Sequence, residues 1–507
     1  MKRIFQYCMI LLFSAASCTT ASKTTTADDG RIHINFVQVN DVYEIAPLSE
    51  GKEGGMARVA SIKKKYLSRN PNTFLVMAGD FLSPSVYNSL KNQGKAIRGK
   101  QMIEAMNAAG VDLAIFGNHE FDIKESELQE RINESGFQWI ASNTYHRQKD
   151  AVVPFVKMNG SGNTSFPVSI IKTVSDADGT IARIGFMGLT LPFNKAGYVS
   201  YTDVITSARI LYDRLKDSVD AVVAITHQSM EDDEKLAREI PGLALIMGGH
   251  EHDQHFKKIG HIYITKAMAN AKSAFVIDLV INKKKKTVKI KANPEKLDEN
   301  ILPDSATNAV VQRWVSIAEH SYASLGFDAK KIVLNNGEPL DGRESEVRSK
   351  PTNLTRLIVK GIADAAKNAD VVIMNAGSIR VDDMLQMPVT QYDIIRSLPF
   401  GGSIREAEMK GSLLLQILEQ GVKNKGIGGY LHYNDDVSFN INSKKWELKN
   451  SPIDSLITYR VALPDFLLTG GEANLGFLKP GNSGIVKILP DPATDIRLAI
   501  IKYLEKK

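Results

Sequence analysis

Residues 221–252 read AVVAITHQSMEDDEKLAREIPGLALIMGGHEH. An apolar run, Ala221–Thr226, ends in His227. A helix-like stretch, Asp232–Glu239, follows. A second apolar run, Leu243–Met247, ends through two glycines in His250 and His252. A strand, a helix and a strand at this spacing predict an α/β architecture with buried sheets. The same alternation extends upstream. Apolar runs Ile32–Val39, Phe74–Ala78, Leu113–Phe116 and Arg183–Leu189 are separated by helix-like Gly55–Arg69, Lys100–Ala109, Glu125–Glu134 and Asp203–Asp217. Downstream, the pattern loosens over Thr287–Leu302, and Ser305–Leu325 reads as one helix. A second α/β region begins near Lys331, marked by the helix Leu354–Ala366, the strand Asp370–Met374 and the helix Ser412–Val422. A domain spanning 31–299, a linker helix within 300–327 and a smaller domain over 328–507 are therefore expected. The run Lys283–Lys286, between two strand-like segments, reads as a solvated hairpin turn, with a phosphate-binding patch as the alternative.

At 507 residues the chain exceeds one core. Its 43% hydrophobic and 24% charged residues are those of an ordinary globular protein. A disordered chain, a collagen-like repeat and a multi-span membrane protein are thereby excluded. A net charge of +6 and a pI of about 8.9 are too dilute to argue for a nucleic-acid partner. Two cysteines supply neither a disulfide scaffold nor a structural zinc module.

Both cysteines lie at the N-terminus. Lys2 and Arg3, an apolar run from Ile4 to Phe13 and small residues before Cys18 read as a secretory signal over 1–17. Cys18 resembles the lipidated first residue of a bacterial lipoprotein, and 18–30 reads as a flexible tether. Ordinary soluble secretion and an uncleaved anchor are the alternatives. Export to the cell envelope, with the membrane as partner only through that anchor, is the expectation. Loss of Lys2 and Arg3 lowers the charge from +6 to +4.

Metal-binding residue types recur where the strands end. Asp41 follows Ile32–Val39, Asp80 follows Phe74–Ala78, and Asn118 and His119 follow Leu113–Phe116; His227, His250 and His252 close the stretch quoted above. Ligands of open α/β sheets bind at the carboxyl ends of strands. Singly, an Asp here is more often a helix cap and a His is more often structural. Independent caps, however, have no reason to share one edge. Oxygen and imidazole donors without thiolates suit two divalent ions such as Mn, Zn, Co, Fe or Mg. Two metals roughly 3.5–4 Å apart can hold a bridging hydroxide and neutralise a phosphoryl group. His119, three residues before Asp122, is the expected general acid or transition-state donor, with Asp122 fixing its tautomer.

Asn40-Asp41, Gly79-Asp80, Gly117-Asn118-His119-Glu120, Thr226-His227 and Gly248-Gly249-His250-Glu251-His252 resemble the five blocks of the calcineurin-like metallophosphoesterases. Leu340-Asp341-Gly342, Arg348, Thr352-Asn353-Leu354, Asn375-Ala376-Gly377-Ser378-Ile379-Arg380 and Leu398-Pro399-Phe400-Gly401-Gly402 resemble the C-terminal domain of the 5′-nucleotidases. The resemblance implies a four-layer α/β/β/α metallophosphoesterase domain, a linker helix acting as hinge and a smaller α/β substrate-binding domain. It implies one metal on Asp41, Asp80 and His252 and another on Asp80, Asn118, His227 and His250. Arg348 and Arg380 would grip the phosphate or ribose side of a nucleotide, Asn375 would bond the base and Phe400 would stack on it.

Two positions depart from that pattern. The family's Asp-x-His is here Asp41-Val42-Tyr43, so Tyr43 coordinates a harder metal, the first metal is weaker or differently ligated, or activity is largely lost. The family's Gly-Gly-Asp-Gly-aromatic segment is here Gly470-Gly471-Glu472-Ala473-Asn474; Phe477 is a candidate substitute ring. Hydrolysis of nucleoside 5′-monophosphates is the expected activity. The alternatives are the same fold acting on nucleotide sugars, cyclic nucleotides or non-nucleotide phosphoesters, and a catalytically weak ligand-binding lipoprotein.

Overall fold

The computed structural model describes residues 28–160, 162–194, 196–490 and 494–506; the expected signal and Cys18 lie outside them. Strand alternation lays out the first domain. On Arg31–Val39, Ile32, Ile34 and Phe36 face one apolar layer, and Val37 and Val39 face another. A sheet covered on both sides requires this. One six-stranded sheet runs in spatial order Thr287–Lys296, Ser273–Asn282, Arg31–Val39, Thr73–Met77, Leu113–Ala114 and Gln138–Trp139. The other runs Ser169–Ser175, Ile181–Thr190, Ala221–His227, Leu245–Gly249, Ile262–Lys266 and His255–Ile259. Phe36, Val76, Phe186, Ile225 and Met247 fill the layer between them. Helices Met56–Leu67, Lys100–Ala109 and Glu125–Glu134 cover the first sheet, and Val204–Leu215 and Met230–Glu239 the second. The layers are α/β/β/α.

The inner strands pair in parallel, so their carboxyl ends share one edge. Thr287–Lys296, where the sequence pattern loosens, is a ten-residue edge strand antiparallel to Ser273–Asn282. Its lysines alternate with Val288, Ile290 and Ala292, which lie against the core. Such outward charges blunt an exposed edge, and Pro294 is tolerated because that edge has no neighbour to bond. Lys283–Lys286 forms the turn between these two strands.

The linker helix is Ser305–Ser324, with Asp304 accepting the Thr307 N–H at its start. Trp314 donates Nε1–H to Glu104 at 2.9 Å, and Tyr322 donates its hydroxyl to the Val86 carbonyl at 3.3 Å. In the second domain five strands run Leu431–Tyr433, Val371–Asn375, Thr458–Pro464, Ile404–Lys410 and Ile485–Ile488. Asn353–Ala365 and Ile496–Leu504 cover one face and Gly411–Lys423 the other. The helix layer of the first domain and the Ile358–Ile500 side of the second form one continuous apolar cluster, so the domains pack directly. Among the described residues no helix is long and apolar enough to cross a membrane.

Candidate metal centre

The shared strand edge carries unusual backbone. Asp41, Asp80 and His250 have φ of 53°, 55° and 88°, a region that non-glycine residues enter at a cost. Three such residues around one pocket mark a site where geometry outranks local comfort. Glycines let the loops converge. A Cβ on Gly79 would stand 2.6 Å from His227 Nδ1, and one on Gly117 would stand 2.1 Å from Asp80 Oδ1.

His227 Nε2 lies 3.0 Å from Asp80 Oδ2 and 3.9 Å from Asp41 Oδ1. One ligand atom from each of the three falls within 4.8 Å of the others, and all three residues are buried. His252 Nε2 is 3.5 Å from Asp41 Oδ1, and the His250 ring centroid is 5.4 Å from that of His227. Two buried carboxylates this close are costly unless a cation neutralises them. His227 donates Nδ1–H to the Ala78 carbonyl at 2.8 Å, which turns a free Nε2 into the pocket. Asn118 Oδ1 is buried without a hydrogen-bond partner, and His227 Nε2 faces the Asp80 and Asp41 carboxylates. A buried, unpartnered amide oxygen and an imidazole beside paired carboxylates are the donor set that divalent ions take. Burial disfavours the His227 imidazolium, but Asp80 and Asp41 outweigh it and raise its pKa to about 9. The same field favours a bound cation.

Glu120 fastens two of the loops together. Its buried carboxylate accepts the backbone N–H groups of Asp80, Phe81, Leu82 and Gly117 at 2.6–3.0 Å. Burial, then Asp80, raises its pKa to about 7. Beneath the loop Gly117–Asp122, Phe116 meets Trp139 at 4.8 Å, Phe155 at 4.9 Å and Phe121 at 5.1 Å. Each such pair adds roughly 0.5–1.5 kcal/mol beyond its burial.

His119 Nδ1 bonds Asp122 Oδ2 at 2.6 Å, and the His119 N–H donates to Asp80 Oδ1 at 2.8 Å. Burial opposes the His119 imidazolium, yet Asp122 and Asp80 raise its pKa overall. Asn194 donates its amide to Asp122 Oδ1 at 2.9 Å and to the Asn118 carbonyl at 3.1 Å. Its loop carries no motif, so spacing alone would not have found it. Tyr43 points its phenol into the pocket: the oxygen is 2.9 Å from His252 Nε2 and 3.3 Å from Asp41 Oδ1.

The second domain reaches the same pocket. Arg380 Nη2 is 3.5 Å from His119 Nδ1, and its guanidinium lies 5.7 Å from the Phe400 ring centre. Phe400 is 53% exposed, which suits a stacking surface rather than a core residue. Arg348 pairs with Glu344 at 2.5 Å. Asn375 is buried, its amide donating to Glu472 at 2.5 Å and its oxygen accepting from Ser378 at 2.8 Å. Both of its polar groups are therefore engaged within the protein. Asn474 bonds Asn424 at 2.9 Å, and Phe477 packs half-buried against the second-domain core. Asp382, next to the Arg380 motif, pairs with His252 Nδ1 from across the interface.

Residues 34–254 match the calcineurin-like phosphoesterase family, and residues 331–478 match the 5′-nucleotidase C-terminal domain. The chain is 24% identical to a 5′-nucleotidase of Bos taurus, over 83% of this chain and 78% of that protein. A 5′-nucleotidase precursor from Thermus thermophilus superposes with a TM-score of 0.70 at 22% identity, covering 94% of this chain and 96% of the other. A sulfate thiohydrolase, SoxB, from Thermus thermophilus gives a TM-score of 0.64 at 15% identity, covering 93% and 94%.

Proposed function

The chain belongs to the hydrolase family that joins a calcineurin-like phosphoesterase domain to a 5′-nucleotidase C-terminal domain, and on that footing we propose that it is an exported phosphatase of nucleoside 5′-monophosphates. Asp41, Asp80 and His252 would hold one divalent ion; Asp80, Asn118, His227 and His250 would hold the other. Two such ions would supply Lewis-acid stabilisation of a phosphoryl group and lower the pKa of a water toward hydroxide. The remaining work falls to side chains. Asp122 holds the Nδ1 proton of His119, so His119 Nε2 carries a proton to the leaving ribose oxygen as its bond to phosphorus breaks. Arg380 brings a guanidinium fork to the phosphate, and Phe400 offers a face to the base.

The observation that carries this reading is the meeting of His119–Asp122 with Arg380, from opposite domains, beside the Asp41–Asp80–His227 cluster. Supplied with Mn or Co, the purified protein is expected to hydrolyse p-nitrophenyl phosphate, and His119→Ala to lose about 10²–10⁴-fold in kcat. Saturable nucleotide binding without turnover in any metal would mark a binding protein instead. Export is supported by the charged, apolar, small-residue order of residues 2–17, and lipidation by Cys18.

A second reading, the same chemistry on a different phosphoester, is favoured by the base pocket. Asn375 has its amide engaged by Glu472, and Asn474 stands at the aromatic position. Losing one stacking face forfeits about 1–3 kcal/mol per base. AMP compared with ribose 5-phosphate separates the two readings: equal kcat/KM removes the nucleotide claim.

A further inference from the structure

The two histidines nearest the carboxylates are held differently. A ligating imidazole must keep its metal-facing nitrogen unprotonated, so the other nitrogen carries the proton and needs an acceptor. For His227 the acceptor is the Ala78 carbonyl, in its own domain. For His252 the one partner of Nδ1 among the described residues is a carboxylate oxygen, Asp382 Oδ2, in the second domain. The other oxygen of that carboxylate, Oδ1, accepts the Glu344 N–H, also of the second domain. Asp382 holds this aim at a φ of 36°, against its own backbone preference. Two further contacts dock the domains around the pair: Tyr392 donates to Glu44 at 2.8 Å, and Lys272 to Asp383 at 2.5 Å.

We propose that Asp382 is a positioning residue of the metal centre, through which docking of the second domain fixes His252 as the Nδ1–H tautomer and leaves Nε2 unprotonated toward the first metal. That position then binds tightly only while the domains are together. The proposal rests on the reading of the cluster as a two-metal centre.

Asp382→Asn makes a sharp test. Asparagine tolerates the left-handed backbone, and the Glu344 N–H pins its oxygen, so the amide NH₂ faces His252. A donor there favours the opposite tautomer, with the proton on Nε2 where the metal should bind. Asp382→Ala leaves the space to water, which can still accept. Titration of the full chain with zinc against a chromophoric chelator resolves two stepwise constants, and circular dichroism checks the fold. One constant is expected to weaken about 10–100-fold in Asp382→Asn and less in Asp382→Ala, with the other constant unchanged. A side chain acting only through packing would reverse that order. Wild-type affinity at both positions in either folded variant, or a greater loss in Asp382→Ala, overturns the proposal. A wild-type chain that binds neither ion removes the metal-centre reading and the proposal together.

Discussion

Tyr43 sits where a fourth donor to the first metal would stand, its oxygen within 3.5 Å of His252, Asp41 and Asp80. Burial, then the charges of Asp80 and Asp41, raises its pKa well above that of an ordinary phenol. As a neutral donor it occupies hydrogen bonds that an imidazole would give up to an ion. Tyr43→His is therefore expected to tighten divalent binding at one position by roughly tenfold, the lower end of what a supporting group is worth. Metal content and rate unchanged from wild type would show that the ring does not reach the ion. Asn194→Ala should lower kcat about tenfold with KM nearly constant, because it frees Asp122 rather than the substrate. A rise in KM alone would contradict that role. At this scale the sequence exposes residue type but not company: Asp41 and His227 could be picked out by position at strand ends, whereas Asn194 and Asp382 matter only through partners 72 and 130 residues away.

Elements put these residues within reach. The helices Lys100–Ala109 and Glu125–Glu134 and six of the first domain's parallel strands were legible because apolar spacing fixes them locally, whereas Gln138–Trp139 and Ile262–Lys266 were not read. The edge strand Thr287–Lys296 was legible only as a strand-like segment beyond the Lys283–Lys286 turn, its pattern loosened by lysines and a Pro294 that are tolerated where one side faces solvent. The short strand Leu431–Tyr433 has a testable consequence for the substrate side. His432 is buried there, donating Nε2–H to the Val347 carbonyl at 2.8 Å, one residue before Arg348. Burial lowers its pKa to about 4, against about 6.5 when unfolded. The folded state thus binds fewer protons, and its stability is full above pH 6.5 and falls as pH drops toward 4. Between pH 7.5 and pH 5 that costs about 2 kcal/mol. Urea unfolding at the two pH values should show the loss in wild type and a flatter response in His432→Leu. Equal slopes would remove His432 as the cause.

Across the whole molecule, metal binding and folding are linked through the desolvated carboxylates of Asp41 and Asp80. Ions that bind only the folded chain stabilise it by about 2.7 kcal/mol at a hundredfold excess over Kd. A chelator should therefore lower the thermal midpoint, and readdition of Mn should restore it. A midpoint indifferent to both would argue against occupied sites. The two-domain plan was legible from the break in periodicity; the continuous core that binds the halves was not, because periodicity reports which face is apolar and not what covers it. That core bears on where any swing begins. Trp314 and Tyr322 fasten the linker helix to the first domain, and the chain next turns left-handed at Gly326, with φ of 89°. If the second domain swings, as the resemblance implies, the helix is expected to travel with the first domain and the pivot to fall just beyond it. Two fluorophores on the helix and the first domain would keep a constant separation through turnover, whereas a pair straddling Gly326 would flicker with each opening.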